Sequence, residues 1–469
     1  MAFESRRAMG QRSLSREYQI GDLLDVRFHV LTFGCQMNVA DSDWLTRSLV
    51  ARGWMPAAEE EAQVFVVTTC SVREKPEQKV YSLLGRLKEY ADRNPEVFAA
   101  VGGCVAQQVG EEFWRRFPFV RLIFGTDGTG MVPQTLERLA LDAGLRVSLL
   151  DFLDHYPERE PAGSGNVGAQ AFVNIMQGCD NFCAYCIVPF TRGRQKSRTA
   201  DAVVAECESL VRRGARELTL LGQNVNSYGQ DRRGDGTTFA GLLHRVAAVP
   251  GLLRLKFTTS HPKDIAPEVI EAFRTLSNLS PQLHLPAQSG ADSILAAMGR
   301  KYTRERYMGI VRDLRAACPH IALSTDIIVG FPGETVRDFE ETLSLLEEVR
   351  FISAFSFKYS DRPGVRAEKM DFKVPEEEKA RRLEVLQEVQ NRITAEDLLA
   401  QVGRRALVLV EGPSRMQDGR GAFWRGRDEG GRIVNFPHSG TGLTGKMAEV
   451  VILGAKKHSL TGEMRGAAW

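Results

Sequence analysis

Cys179-Asp180-Asn181-Phe182-Cys183-Ala184-Tyr185-Cys186 sets three thiols four and then three positions apart on one short stretch of chain. A loop with that spacing can grip an iron-sulfur cube by three of its four irons, leaving the fourth iron open to bind a small chelating ligand and pass it an electron. An iron with a full set of protein ligands cannot readily do this, so the spacing points to an enzyme's cluster rather than a carrier's. Structural zinc fits less well, because neither a second cysteine pair nor a nearby histidine follows Cys186. A redox Cys-x-x-Cys would use Cys183 and Cys186 and leave Cys179 unexplained. A ferredoxin needs a fourth cysteine close by, and the next one, Cys207, sits in a helical, Glu-flanked stretch.

The loop comes directly after an apolar run at 172–175 that reads as a strand. Further strands are expected at 217–221, 253–258, 282–285, 324–329 and 354–359, with helices such as 201–213, 336–349 and 376–395 between them. Six strand-helix units predict a partial (β/α)6 barrel over 171–396, whose chemistry would sit at the carboxyl ends of the strands. That rim would carry Leu221-Gly222-Gln223-Asn224, Ser260-His261, Pro286-Ala287-Gln288-Ser289 and Gly330-Phe331-Pro332-Gly333-Glu334. His261 is either a general acid or a residue that holds its loop.

Upstream, three apolar, β-branched runs each end in a cysteine: 26–35 in Cys35, 63–70 in Cys70 and 97–104 in Cys104. Amphipathic helical stretches at 41–52 and 78–92 separate them. Strand-helix alternation predicts a parallel sheet over 26–150, and ligands of such sheets gather outside the carboxyl ends of the strands. The three thiols would then meet at one edge and form a second three-thiol cluster. Cys207 and Cys318 read as ordinary interior thiols.

A tail at 1–25 and a Pro/Gly/Ser-bearing linker at 151–170 flank this unit. The region 397–462 alternates apolar and polar residues in short runs between Gly-rich turns, which predicts a small antiparallel β-barrel. Residues 403–469 hold 11 Lys and Arg against 6 Asp and Glu, while the rest of the chain holds 50 against 53. The basic end therefore suggests nucleic acid, with Trp424 and Phe436 stacking bases while Arg420, Arg425, Arg427 and Arg432 hold phosphates. No apolar run approaches the roughly 18 residues of a membrane span, and clustered free thiols fit a reducing compartment. The expectation is a multidomain α/β protein of the cytoplasm, with no membrane partner.

Several stretches together resemble the radical S-adenosylmethionine methylthiotransferases, over about residues 26–455. They are Thr32-Phe33-Gly34-Cys35-Gln36-Met37-Asn38, Thr69-Cys70-Ser71-Val72-Arg73, Gly103-Cys104, the Cys179 loop with Thr191-Arg192-Gly193-Arg194, Leu221-Gly222-Gln223-Asn224-Val225-Asn226-Ser227-Tyr228, and 326–334. The basic barrel is similar to that family's TRAM domain. The wording of Gln36-Met37-Asn38 and of Asn224-Val225-Asn226-Ser227-Tyr228 favours the branch acting on isopentenylated adenosine in tRNA, at position 37 beside the anticodon. The branches acting on threonylcarbamoyladenosine or on a ribosomal protein are the alternatives. A noncatalytic RNA-binding iron-sulfur protein is the alternative from another class.

The resemblance implies two [4Fe-4S] clusters and S-adenosylmethionine. Cys179, Cys183 and Cys186 would hold the cube that cleaves S-adenosylmethionine to a 5'-deoxyadenosyl radical, and Cys35, Cys70 and Cys104 the auxiliary cluster that presents sulfur. A second S-adenosylmethionine would supply the methyl group. Tyr185, Gln223, Ser260, Gln288, Asp326 and Glu334 are the expected cofactor contacts. An electron donor such as a flavodoxin-type reductant and a sulfur or cluster donor are the further expected partners.

Overall fold

The computed structural model describes residues 25–71, 74–159, 167–231, 234–416 and 422–469. The tail expected at 1–25, apart from Asp25, part of the expected linker (160–166) and Arg420 lie outside the described residues.

The first unit is a six-stranded sheet of β1 (Arg27–Thr32), β2 (Met55–Pro56), β3 (Val64–Thr69), β4 (Phe98–Gly103), β5 (Val120–Phe124) and β6 (Val147–Leu149). Its order is β2-β1-β3-β4-β5-β6 and every pairing is parallel. Every residue of β3 and β4 is buried, as expected of parallel strands covered on both faces. Alternate residues feed two cores: Phe65, Val67, Ala99 and Val101 on one face, Val64, Val66, Phe98 and Ala100 on the other. Three strands were expected here and six are present. The three cysteine-bearing strands β1, β3 and β4 are neighbours in the sheet.

The middle unit has six strands: β7 (Gln170–Asn174), then β10 (Glu217–Leu221), β11 (Arg254–Thr258), β12 (Gln282–His284), β13 (Ala322–Val329) and β14 (Ser353–Lys358); between β7 and β10, β8 (Met176–Gln177) and β9 (Lys196–Ser197) form a two-residue ribbon. They pair in parallel as two sheets, β7-β10-β11 and β12-β13-β14. A bridge between Leu255 and Leu279, with the amide of Leu255 donating to Asn278 O at 2.7 Å, joins the sheets into one open curve. One large core joins buried residues of these strands and of the helices between them, and it includes Cys207 and Cys318. The free edge at β7 is covered by the helix Gln36–Ala51 of the first unit, whose Asp41 accepts from Asn174 Nδ2 at 3.0 Å.

The last unit is a closed barrel, β15-β16-β17-β19-β18, of β15 (Arg405–Pro413), β16 (Phe423–Arg427), β17 (Ile433–Pro437), β18 (Met447–Lys456) and β19 (Ser459–Arg465). Four pairings are antiparallel and the closing one, β17 to β19, is parallel. Two expectations change here. Trp424 and Phe436 belong to the barrel's buried interior, so they offer no face to a base. Arg425 and Arg427 both bond Glu411, and Arg432 grips Asp397 through two 2.7 Å bonds, so these guanidiniums are committed to carboxylates. The barrel docks through Arg254, which donates to the carbonyls of Leu407, Arg427 and Asp428 at 3.1 Å each, and through Ser280 Oγ, which donates to Glu429 O at 2.6 Å. Arg254 opens β11 and Ser280 precedes β12. The barrel therefore sits at the amino ends of the strands, the end opposite the Cys179 loop.

Candidate active site between two cysteine sets

Cys35 caps the helix Gln36–Ala51, Cys70 follows β3, and Cys104 opens a short helix directly after β4. Asn38 binds the loops of Cys35 and Cys70 together. Its Nδ2 donates to Phe33 O and Thr69 O at 2.8 Å each, and its Oδ1 accepts from the Cys35 thiol at 3.7 Å and from Arg192 Nη2 at 3.2 Å. A hydrogen bond with Cys70 is the largest influence on Cys35. Together with the Arg192 charge and the amides of Asn38 and Met37, it outweighs burial and pulls the thiol down to about 5.

In the second set, the Cys179 amide donates to Gly193 O at 3.3 Å and the Cys186 amide to Cys183 O at 3.0 Å. The loop is fixed at both ends: the amide of Gly178 donates to Gln223 Oε1 at 2.7 Å, and that of Ala184 to Met298 O at 2.8 Å. Burial, then the neighbouring Cys183, pushes the Cys186 thiol up to about 12, and burial also raises Cys179. Arg300 is buried against this set, with Nη1 3.6 Å from Cys183 Sγ, Nη2 on Pro286 O at 3.0 Å and Nε on the Tyr302 hydroxyl at 3.1 Å.

The two sets adjoin. Gln223, which takes the Gly178 amide, also donates through Nε2 to Met37 Sδ, two residues after Cys35. Arg192 Nη1 reaches the same sulfur at 3.7 Å, and Arg362 Nη1 donates at 2.9 Å to Ser71 O, next to Cys70. Among the described residues no three His, Cys, Asp or Glu side chains converge on one point as ligands of a single ion. Three thiols spread over adjoining loops suit a cube, whose irons occupy separate corners, better than a mononuclear site.

The rim has a second property. Ser260 Oγ, His261 Nε2, Asn224 Oδ1 and both amide atoms of Asn226 are buried without a hydrogen-bond partner, all on the loops after β10 and β11. The Val225 amide donates to Thr259 O at 3.0 Å, which zips these two loops together. Buried polar atoms are ordinarily satisfied, so a group of orphans on one rim fits a polar ligand such as S-adenosylmethionine. His261 Nδ1 accepts from the Lys263 amide at 3.2 Å, which leaves the proton on Nε2. Burial, then the charges of Arg300, Lys263 and Lys301, holds the ring's pKa down at about 2, so His261 is a neutral donor rather than a general acid.

The other rim residues divide. Tyr185 is partly buried against an apolar cluster that includes Ala291, Met298, Phe331 and Tyr359. Gln288 takes φ +71° with its amide on Asp326 O at 2.8 Å, and Asp326 faces His284 at 3.4 Å. Gln223 spends its amide between Gly178 and Met37. Glu334 accepts from Arg382 Nη1 at 2.6 Å and from the Gly330 amide at 3.0 Å, with both side chains of the ion pair nearly inaccessible. Gln223 and Glu334 thus hold loops, with both of Glu334's bonds on Oε1 and Gln223 Oε1 taking a single amide. Arg382→Met would strand the Glu334 carboxylate in the interior, and a loss of about 3–5 kcal/mol is expected in urea unfolding of the metal-free protein. A change below about 1 kcal/mol would mean that the pair is not a structural tie.

Sequence reasoning missed Arg300 and gave no role to Arg192, because a single arginine carries no spacing signal. The Thr191-Arg192-Gly193-Arg194 wording was the one hint.

Residues 27–125 match the Uncharacterized protein family UPF0004, 173–346 the Radical SAM superfamily and 399–464 the TRAM domain. The tRNA-2-methylthio-N(6)-dimethylallyladenosine synthase of Nitratidesulfovibrio vulgaris strain Hildenborough is 60% identical over 447 residues, covering 95% of this chain and 100% of the relative. The chain belongs to the radical S-adenosylmethionine methylthiotransferase family. Relatives of the same name are 56% identical in Oleidesulfovibrio alaskensis, over 94% of this chain and 98% of that one, and 48% identical in Lawsonia intracellularis, over 94% and 99%. Among solved structures, the radical S-adenosylmethionine methyltransferase TsrM of Kitasatospora setae, with cobalamin and a [4Fe-4S] cluster bound, matches with a TM-score of 0.55 over 74% of each chain. At 14% identity that likeness speaks for the fold alone. Membership of the methylthiotransferase family brings [4Fe-4S] clusters and S-adenosylmethionine as cofactors. No described helix is long and apolar enough to cross a membrane.

Proposed function

We propose that the chain adds a methylthio group to carbon 2 of N(6)-dimethylallyladenosine at tRNA position 37, beside the anticodon. The observation that carries this reading is the adjacency of two three-cysteine sets, joined through Met37, Gln223 and Arg192. The shared name of the relatives supports it over threonylcarbamoyladenosine or a ribosomal protein as substrate.

In this reading Cys179, Cys183 and Cys186 hold one cluster and Cys35, Cys70 and Cys104 the other, across the boundary between a 26–150 domain and a 171–396 domain. Together the bound groups supply an electron, a carbon-centred radical and sulfur, chemistry that no side chain here provides. The chain's own work is to bind and orient. Tyr185 and Gln288 would contact the cofactor, and Ser260, Asn226 and His261 Nε2, buried without partners, would offer it hydrogen bonds. Asp326, which faces His284, would accept from the cofactor. A cytoplasmic setting, a flavodoxin-type reductant and a sulfur or cluster donor complete the proposal.

The test is nucleoside mass analysis of tRNA from cells lacking the protein. Loss of the methylthio group with build-up of N(6)-dimethylallyladenosine is expected, restored by the wild-type chain. Unchanged methylthio content, or loss confined to a threonylcarbamoyl nucleoside, would reject this assignment.

For the barrel (397–462), the exposed cations Arg404, Lys446 and Lys457 make no ion pair among the described residues and are the phosphate-binding candidates. The Lys446→Glu/Lys457→Glu double variant is expected to weaken tRNA binding. The slope of log K against log salt should flatten by about 0.7–0.9 for each phosphate that is no longer neutralised. Equal affinity and slope in wild type and variant would remove these lysines from the RNA interface.

A further inference from the structure

The described chain buries seven cationic side chains: Arg192, Lys196, Arg198, Arg254, Lys256, Arg300 and Arg382. Five are answered by a carboxylate: Lys196 by Asp127, Arg198 by Glu206, Arg254 and Lys256 by Glu217, and Arg382 by Glu334. The two without a carboxylate partner are Arg192 and Arg300, and each lies beside one cysteine set. Arg192 bonds only Met37 Sδ and Asn38 Oδ1, both neutral. Arg300 bonds Cys183 Sγ, Pro286 O and the Tyr302 hydroxyl. An unpaired charge in the interior costs several kcal/mol unless an anion lies close by. For Arg192 the anionic groups in range are Cys104, Cys35, Asp41 and Cys70, and Asp41 is already paired with Arg159 at 2.8 Å. For Arg300 they are Tyr302, Tyr185 and Cys183, of which only the cysteine becomes an anion on binding metal.

We infer that Arg192 and Arg300 are positioning residues that serve as dedicated counter-cations of the two clusters, Arg192 for the Cys35, Cys70 and Cys104 set and Arg300 for the Cys179, Cys183 and Cys186 set. This rests on the cluster assignment of the proposed function. Arg192 is supplied by the middle unit to the cysteines of the first, so the auxiliary cluster's charge is balanced only when the two units are docked. A nearby positive charge or an N–H···S bond favours the reduced cluster, so removing either should make reduction harder.

The test uses two backgrounds in the full chain, each able to hold one cluster: Cys179→Ala/Cys183→Ala/Cys186→Ala for the auxiliary cluster alone, and Cys35→Ala/Cys70→Ala/Cys104→Ala for the other. Midpoint potentials are read by electron paramagnetic resonance during anaerobic redox titration. Arg192→Gln is expected to shift the auxiliary cluster's equilibrium at least tenfold toward the oxidised form, about 59 mV for one electron, and to leave the other cluster's potential in place. Arg300→Gln should do the reverse, and each Lys variant should restore most of the shift. If a Gln variant fails to assemble its cluster while the Lys variant succeeds, charge is still the requirement and the inference stands. Unchanged potentials, equal shifts at both clusters, or failure of both Gln and Lys variants would overturn it. Absence of iron from the auxiliary-only background with Arg192 intact would instead sink the assignment of Cys35, Cys70 and Cys104.

Discussion

Cys183→Ala is expected to abolish cleavage of S-adenosylmethionine, while Cys70→Ala leaves cleavage running and stops sulfur insertion. The two thiols lie in adjoining loops but belong to different sets. Cys183 touches Arg300 and is the middle cysteine of the 179–186 loop, so losing it leaves two ligands for a cube that needs three. Cys70 is hydrogen-bonded to Cys35 and follows β3 in the other unit, so its loss empties that set without touching the Cys179 loop. The readouts are 5'-deoxyadenosine, which reports cleavage, and the methylthio nucleoside, which reports the full reaction. Cys183→Ala should lose both by at least about a thousandfold, as expected when a cofactor carrying the difficult step is removed. Equal loss of 5'-deoxyadenosine in both variants would show that the two sets do not divide the labour.

Gly34→Ala should discard the auxiliary cluster without any ligand being changed. Gly34 holds φ +125°, where a side chain is strained, and an added Cβ would fall 2.2 Å from Cys70 Cβ and 3.1 Å from its sulfur. It would also lie 3.0 Å from Asn38 Nδ2, the atom that ties Phe33 to Thr69. Gly34 itself is exposed, but Cys70 is buried and a Cβ at 2.2 Å is far inside contact distance, so Cys70 must leave its place. The expected result is loss of about four of eight irons, together with about 1–3 kcal/mol of stability. Gly85→Ala is the control: it lies within the helix Glu74–Arg93, nothing approaches its added Cβ within 4 Å, and about 0.5–1 kcal/mol of stabilisation with full iron content is expected. Full iron in Gly34→Ala would mean that Cys70 is not held where the loop places it.

Much of this arrangement could be read from the chain. Buried parallel strands are rich in apolar residues, so β3 and β4 stood out, and the cysteines that follow them were found with them. β2, at two residues, and β6, at three, are too short to show a period, and they form only because a neighbour's edge offers hydrogen bonds. Trp424 and Phe436 were misassigned because an aromatic among arginines reads the same whether it faces inward or outward, and closure of the barrel decides which. Gln223 and Glu334 sit on the expected rim, yet their partners, Met37 and Arg382, lie far off in sequence. Long-range polar pairing of that kind leaves no local pattern, and the same holds for Arg192 and Arg300.

The barrel's position also bears on how tRNA engages. Docked at the amino ends of the strands, it is remote from the cysteine rim, so any grip it has on RNA is separate from capture of the reactive base. Binding and chemistry should therefore respond to different variants, Lys446 and Lys457 on one side and the cysteine sets on the other.

The proposed function requires one chain to carry two separate three-thiol cages. Its most direct measurement is iron counting with Mössbauer spectroscopy on anaerobically reconstituted wild type and on the two triple-alanine variants. About eight irons in wild type and about four in each variant, all in [4Fe-4S] form, are expected. Four irons in wild type, or a Cys35→Ala/Cys70→Ala/Cys104→Ala variant that keeps the wild-type count, would contradict it.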